Sequence, residues 1–333
     1  MKLIKYILPM VAMGGFFTSC DDVEAYSPEE VNPPFTYSPL YYQNLRDYKA
    51  SDHEIAFGWV ADYAKRNSMA TSFLGLPDSL DICSLWGGIP SDPEVFADMR
   101  FVQKTKGTKM VAVAITRIDS ETSEKPFKQY YDEARANGNQ DSIYRAFELY
   151  AEYFLDQVFE NDLDGFDCDY EPEGDYLSGD NFRYFFMYMA KYLGPNPDQT
   201  KEERLELIRQ RYGDAIANQP GVCDKMLNID QTSTSLSDLA PYSNYCFLQA
   251  YGGGTGAGQW PDEKVVYCCN MGDNWNTPLN EMYNQARYKP ASGKRKGGFG
   301  AFFLHRNYRT TETNLEPYYH FRRCIQIQNP AIY

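Results

Sequence analysis

An α/β architecture, a single-domain (β/α)8 TIM barrel, is what this 333-residue chain predicts, and three observations carry the prediction. Eight short apolar runs recur along the sequence, each of strand length. The segments between most of them are long enough to return the chain for parallel pairing, and several carry helical periodicity. A content of 43% apolar and 16% aromatic residues suffices for one large core, and the length suits one barrel as well as two smaller domains. A doubly wound eight-stranded sheet is the rival that would share this pattern.

The N-terminus comes first. Residues 1–19 read as a targeting segment: Lys2 and Lys5, an apolar stretch, then small residues before Cys20, similar to a bacterial lipoprotein signal cleaved ahead of a lipidated cysteine. Its removal would take the formal charge from −14 to −16. The acidic run "CDDVEAYS" then resembles the signal that sends Bacteroidetes lipoproteins to the outer face of the outer membrane. The expected localisation is therefore the cell surface, with the membrane met only through lipid on Cys20. Residues 20–50, with "SPEEVNPPF" and little periodicity, read as a tether and entry loop, and 51–333 as the barrel.

The strand candidates follow in order: 54–60, 80–86, 109–115, 163–171, 225–230, 244–251, 264–270 and 297–305. Helices are expected around 91–105, 128–137, 140–160, 180–194, 201–218, 277–288 and 315–328. In 140–160, Ala146, Leu149, Tyr153 and Val158 fall near helical spacing. The connections 61–79 and 252–263 carry little helix signal. Seven cysteines follow Cys20, an odd number set mostly in apolar runs, which favours buried thiols over a disulfide framework, although a single bridge stays open. Cys268 and Cys269, being adjacent, point to opposite faces of a strand.

Charge narrows the function. A surplus of acids spread along the chain repels polyanions, so nucleic acid is not an expected partner. The three histidines lie in no metal-binding motif, and no metal or cofactor is expected. The fourth strand is the informative one, for "LDGFDCDYEP" sets Asp164, Asp167, Asp169 and Glu171 among apolar neighbours. By alternation Asp167, Asp169 and Glu171 share one face in steps of ~7 Å, and Phe166, Cys168 and Tyr170 share the other. At the carboxyl end of a barrel strand, Glu171 would stand at the mouth. Asp164 has the opposite parity and reads as structural, closing the turn with Gly165. Acids stacked in a partly dry site cannot all ionise, so one keeps a proton it can donate. A calcium site or solvated loop acids would show the same letters.

This segment resembles glycoside hydrolase family 18, whose signature D-G-x-D-x-D-x-E is met in full by Asp164, Gly165, Asp167, Asp169 and Glu171. The resemblance implies a retaining, substrate-assisted mechanism in which the sugar's own 2-acetamido oxygen attacks, through an oxazolinium. On it, Glu171 would be the general acid and later the base, Asp169 would hold the acetamide N–H, and Asp167 would share a proton with Asp169. Gln249 and Tyr251 of "FLQAYGGG" resemble the Gln-x-Tyr position of the endoglycosidase branch. Asn228 and Asp230 share a face of strand five and are weaker substrate-binding candidates, and Trp86, Trp260 and Trp275 lie in loops where a ring face can meet a sugar, with packing the ordinary alternative.

The chain also departs from the family. The third strand lacks the S-x-G-G string, and "SLWGG" (84–88) stands one strand too early. The last strand ends "FFLHRNY" without the tryptophan that often floors the sugar site, leaving Phe303 or His305 to take its place. Only about 25 residues join strands seven and eight, too few for the insertion that deepens many chitinase grooves. The expected activity is thus that of an endo-β-N-acetylglucosaminidase cutting the core GlcNAc-β1,4-GlcNAc bond of N-linked glycans. The alternatives are a chitinase and an inactive glycan-binding lipoprotein. Against the latter, Glu171 is present.

Overall fold

The computed structural model describes residues 36–65, 68–119, 126–272 and 274–331. Eight strands close into one barrel in sequence order: β1 (Ile55–Val60), β2 (Ile82–Leu85), β3 (Lys109–Ile115), β4 (Gly165–Tyr170), β5 (Met226–Gln231), β6 (Cys246–Leu248), β7 (Val265–Asn270) and β8 (Gly298–Phe302). All neighbours run parallel, and β8 pairs with β1 through Ile55 opposite Gly298 and Phe57 opposite Gly300. Every strand therefore has both edges bonded.

The helices are α1 (Pro39–Ala50), α2 (Pro93–Phe101), α3 (Pro126–Ala136), α4 (Gln140–Glu160), α5 (Gly179–Met189), α6 (Lys201–Tyr212), α7 (Asp214–Ala217), α8 (Leu279–Arg287) and α9 (Tyr319–Gln328). Among the described residues, β1–β2, β5–β6 and β6–β7 are joined by loops with short 3-10 turns and no α-helix, so the weak helix signal at 61–79 and 252–263 was physical. Helix α1 is a correction, since it occupies 39–50, where a tether was expected. Its own burial is slight, with only Tyr42 inside, which explains its faint periodicity. Polar contacts hold it instead: Arg46 Nη1 donates to Thr105 O at 2.8 Å and Lys49 Nζ to Thr108 Oγ1 at 2.7 Å. Residues 1–19 and Cys20 lie outside the described residues.

Strand alternation sorts the apolar residues into two cores. Phe57, Trp59, Ile82, Val111, Phe247, Val266 and Cys268 fill the barrel lumen, while Phe166, Cys168, Cys269 and the helix faces form the larger shell outside it. Cys268 and Cys269 thus do face opposite ways. All seven cysteines among the described residues are free, six of them buried. Across the lumen Phe57 and Phe247 stack at 3.6 Å between centroids. Gly300 makes room for this pair, because a Cβ there would lie 2.8 Å from Phe57 Cδ1 and 2.9 Å from Cys268 Sγ. The base of the barrel is closed by an ion pair, Lys296 with Glu54, both nearly inaccessible.

Asp164 and Gly165 start β4. Asp164 accepts from Gln103 Nε2 at 2.6 Å and Met110 N at 2.8 Å, fastening β4 to the segment before β3 and to β3 itself. At Gly165 a Cβ would stand 2.3 Å from Met226 O, so only glycine lets β5 approach to pairing distance.

Candidate active site

β4 delivers its acids by period two. Asp167 and Asp169 point into the lumen and are buried, and Glu171, one residue beyond the strand, is partly open at the mouth. The register sets Asn228 beside Asp167 and Asp230 beside Asp169, placing four polar side chains on two neighbouring strands. Trp59 and Ser84 are themselves cross-strand partners, and both reach the same oxygen: Trp59 Nε1 donates to Asp167 Oδ2 at 3.0 Å and Ser84 Oγ at 3.1 Å. Asp167 Oδ1, Asp230 Oδ1 and both polar atoms of Asn228 have no protein partner.

The neighbouring loops fix the backbone of the acidic run. The N–H and hydroxyl of Thr116 both donate to Asp169 O, at 2.9 and 3.0 Å. Arg117 donates through Nε to Glu171 O, and its Nη2 lies 3.8 Å from Glu171 Oε2 and 3.1 Å from Glu173 Oε2. Past β6, Gln249 Nε2 donates to Asp169 Oδ1 at 3.3 Å. Tyr251 stands exposed at the mouth, and α8 pins the backbone on either side of it: Gln285 Nε2 donates to Ala250 O at 3.2 Å, and Gly252 N to Glu281 Oε2 at 3.0 Å.

Electrostatics follow from burial. Asp167 is pushed up to about 7 by loss of solvent, against the pull of the Ser84 hydroxyl and the Trp59 indole. Asp169 is pushed up to about 8, by burial first and then by the charges of Glu171 and Asp167. Asp230 is raised well above the ordinary carboxylate range, by burial and then by Asp169 and Asp167. These groups share few protons among several carboxyls, so their ionisations belong to the cluster.

Raised carboxyl pKa values carry a sign for stability. Each such acid favours the fold fully below its unfolded pKa, and that contribution is lost as pH rises through the folded value. Asp167→Asn stays neutral throughout and keeps an oxygen for Trp59 and Ser84. Its melting temperature is expected to match the wild type near pH 4 and to exceed it increasingly up to about pH 8. Thermal melts across that range check this, and an unchanged or lower melting point at pH 8 contradicts it.

The structure brings together Asp167, Asp169, Glu171, Asn228, Asp230, Gln249 and Tyr251, with Trp86 at the rim. It does not bring Trp275. That ring is buried in the outer shell, stacked at 6.2 Å on His320 of α9, because the loop after β7 folds back onto the helices. Trp260 is likewise buried in the outer shell. On β8 the lumen-facing aromatic is Phe302, which meets Trp86 edge-on at 5.0 Å and lies 6.5 Å from Tyr251. Of the two residues expected there, Phe303 stacks on Phe302 at 4.2 Å and lies beneath the Arg306 guanidinium at 4.6 Å, and His305 Nδ1 accepts from Ala61 N at 3.1 Å. Trp59, Ser84, Thr116, Arg117 and Phe302 were missed as site residues. For Trp59 and Ser84 the signal was strand parity, which already put both on the lumen face.

A buried acid, a coupled neighbour and an accessible carboxyl at the mouth make a group able to hold and deliver a proton beside a charge that forms transiently. Comparison with known proteins places the chain among glycoside hydrolases. The family model "Glycoside hydrolase family 18, BT1044-like" matches residues 18–265. Endo-beta-N-acetylglucosaminidase F2 of Elizabethkingia meningoseptica is 27% identical over 314 residues, covering 84% of this chain and 81% of that protein. Among solved structures, a BT1044 variant superposes with a TM-score of 0.65 at 22% identity, over 88% of this chain and 93% of that one. An endo-beta-N-acetylglucosaminidase from Cordyceps militaris gives 0.60 at 19% identity, over 89% and 98%. A mutant of the latter was solved with fucosyl-N-acetylglucosamine-Asn. At these identities the two superpositions speak to the fold.

Proposed function

The chain belongs to glycoside hydrolase family 18, in its endo-β-N-acetylglucosaminidase-like branch, and we propose that it cuts the GlcNAc-β1,4-GlcNAc core bond of asparagine-linked glycans. The observation that carries this reading is the lumen face of β4, where Glu171 is open to the mouth above two buried aspartates. Glu171 protonates the glycosidic oxygen and then takes a proton from the incoming water. Asp169 accepts from the acetamide N–H, which turns the acetamide oxygen toward the anomeric carbon and offsets the positive charge of the oxazolinium. Asp167, anchored by Trp59 and Ser84, shares a proton with Asp169, and the product keeps the β configuration.

Two observations support a glycan core as the substrate. The connection between β7 and β8, residues 271–297, holds α8 and has no room for a further inserted domain that would deepen the groove. The Cordyceps militaris neighbour was solved with the fucosylated N-acetylglucosamine-Asn stub that such cleavage leaves. Tyr251, Trp86 and Phe302 offer ring faces at the rim. The test is incubation with a biantennary or high-mannose glycoprotein followed by mass spectrometry. One residual N-acetylglucosamine per asparagine is the expected product. Cleavage of chito-oligosaccharides with intact glycoprotein would indicate a chitinase, and binding without cleavage a lectin.

For location, the reading is a cell-surface enzyme of the outer membrane, held by lipid on Cys20 after removal of residues 1–19. Palmitate labelling of the expressed protein is expected, and its persistence in Cys20→Ala would refute the anchor.

A further inference from the structure

The lumen contains one more carboxyl than the reaction above uses. Asp230 is buried to 1% exposure on β5, directly across the ladder from Asp169, and one of its oxygens has no protein partner. Gln249, one residue past β6, donates to Asp169 Oδ1 and stands beside Asp230 as well. The groups facing Asp230 can be named from each wall. They are Asp167, Asp169 and Glu171 on β4 and just past it, Cys246, Gln249 and Tyr251 on β6 and beyond, and Cys268 on β7. None is a cation. Arg117, whose charge reaches Asp169, is already engaged at Glu171 and Glu173. An anionic carboxylate there would lack any countercharge in a dry interior, beside two other acids.

We propose that Asp230 is a positioning residue for Asp169: it holds a proton through the working range and, with Gln249, fixes which way the Asp169 carboxylate faces, leaving the negative charge on the member nearer the sugar. The proposal rests on the glycosidase reading of the same site, and it assigns Asp230 no contact with the sugar. Burial and the adjacent charges of Asp169 and Asp167 both favour the protonated form.

Asp230→Asn retains the shape and stays neutral, so it separates these roles. With a glycoprotein substrate, kcat near neutral pH is expected to stay within roughly tenfold of wild type with KM unchanged. The pH profile should keep its position through the working range, because the amide and the protonated acid carry the same charge. A loss of a hundredfold or more at every pH, or a profile displaced within the working range, would show that Asp230 works as an anion, and a raised KM would show a sugar contact. Either result overturns the proposal. A second measurement is independent of turnover: the infrared band of protonated carboxyls in the folded protein at pH 7 should weaken in Asp230→Asn, and an unchanged band also overturns it. If the wild type cleaves no glycoprotein, the glycosidase reading fails while the infrared result still reports where the proton resides.

Discussion

Glu171→Gln is expected to lower kcat on a glycoprotein by about a thousandfold or more while leaving KM nearly unchanged. The amide has the shape of the acid and keeps the contacts that hold the loop, since Arg117 bonds the backbone carbonyl at this position. What it lacks is a proton to donate to the leaving oxygen and a basic lone pair to take one from water, so both halves of the cycle are disabled. General acid and base catalysis each contribute roughly 10²–10⁴. The substitution also removes a charge that helps raise Asp169, so Asp169 should ionise at lower pH in the variant. Initial rates over a range of glycoprotein concentrations decide the matter, and turnover within tenfold of wild type would remove Glu171 from its assigned role.

The largest effect on stability is expected at the other end of the barrel. Lys296→Ala leaves Glu54 buried and served, among the described residues, only by the exposed Lys289, 3.0 Å from Oε1. Removing one member of an enclosed pair strands the other charge, at a cost of about 3–5 kcal/mol. The Lys289 contact moderates this, so a loss of about 3 kcal/mol is expected in denaturant unfolding. Replacing both members, as in Glu54→Leu with Lys296→Met, should recover most of that loss because neither charge then needs compensation. Should Lys296→Ala cost less than about 1 kcal/mol, the pair does not anchor the base of the barrel as described. Catalytic constants per folded molecule are expected to be unaffected, because the pair lies below the lumen layers that separate it from Asp167.

The fold and the acidic strand were legible because both rest on local periodicity. Eight apolar runs gave the strands, and period two put Asp167, Asp169 and Glu171 on one face with no need of a partner. What was illegible depends on relations between strands. Trp59 and Ser84 have the right parity, but their meeting at one Asp167 oxygen follows from the register of β1, β2 and β4, which no single run encodes. Phe302 was passed over for Phe303 and His305 although parity from the lumen-facing Gly300 selects it, and beyond it the chain leaves the strand through a left-handed Phe303, φ 52°. Trp275 misled for another reason. An aromatic in a polar loop carries the same letters whether the loop overhangs the mouth or folds back on the helices. Helix α1 hid because it is held by side-chain bonds to the β2–β3 connection and buries little of its own surface.

Ile55 and Gly298 close the seam of the ring, one near each end of the folded chain, so the barrel is complete only when both are present. Translation that stopped after β7 but before residue 298 would leave β1 and β7 as raw borders of an open, strongly apolar sheet, ready to zip onto another chain. A nonsense lesion late in the coding sequence should therefore yield a sticky polypeptide destined for inclusion bodies, although the acids of β4 would all be present in it.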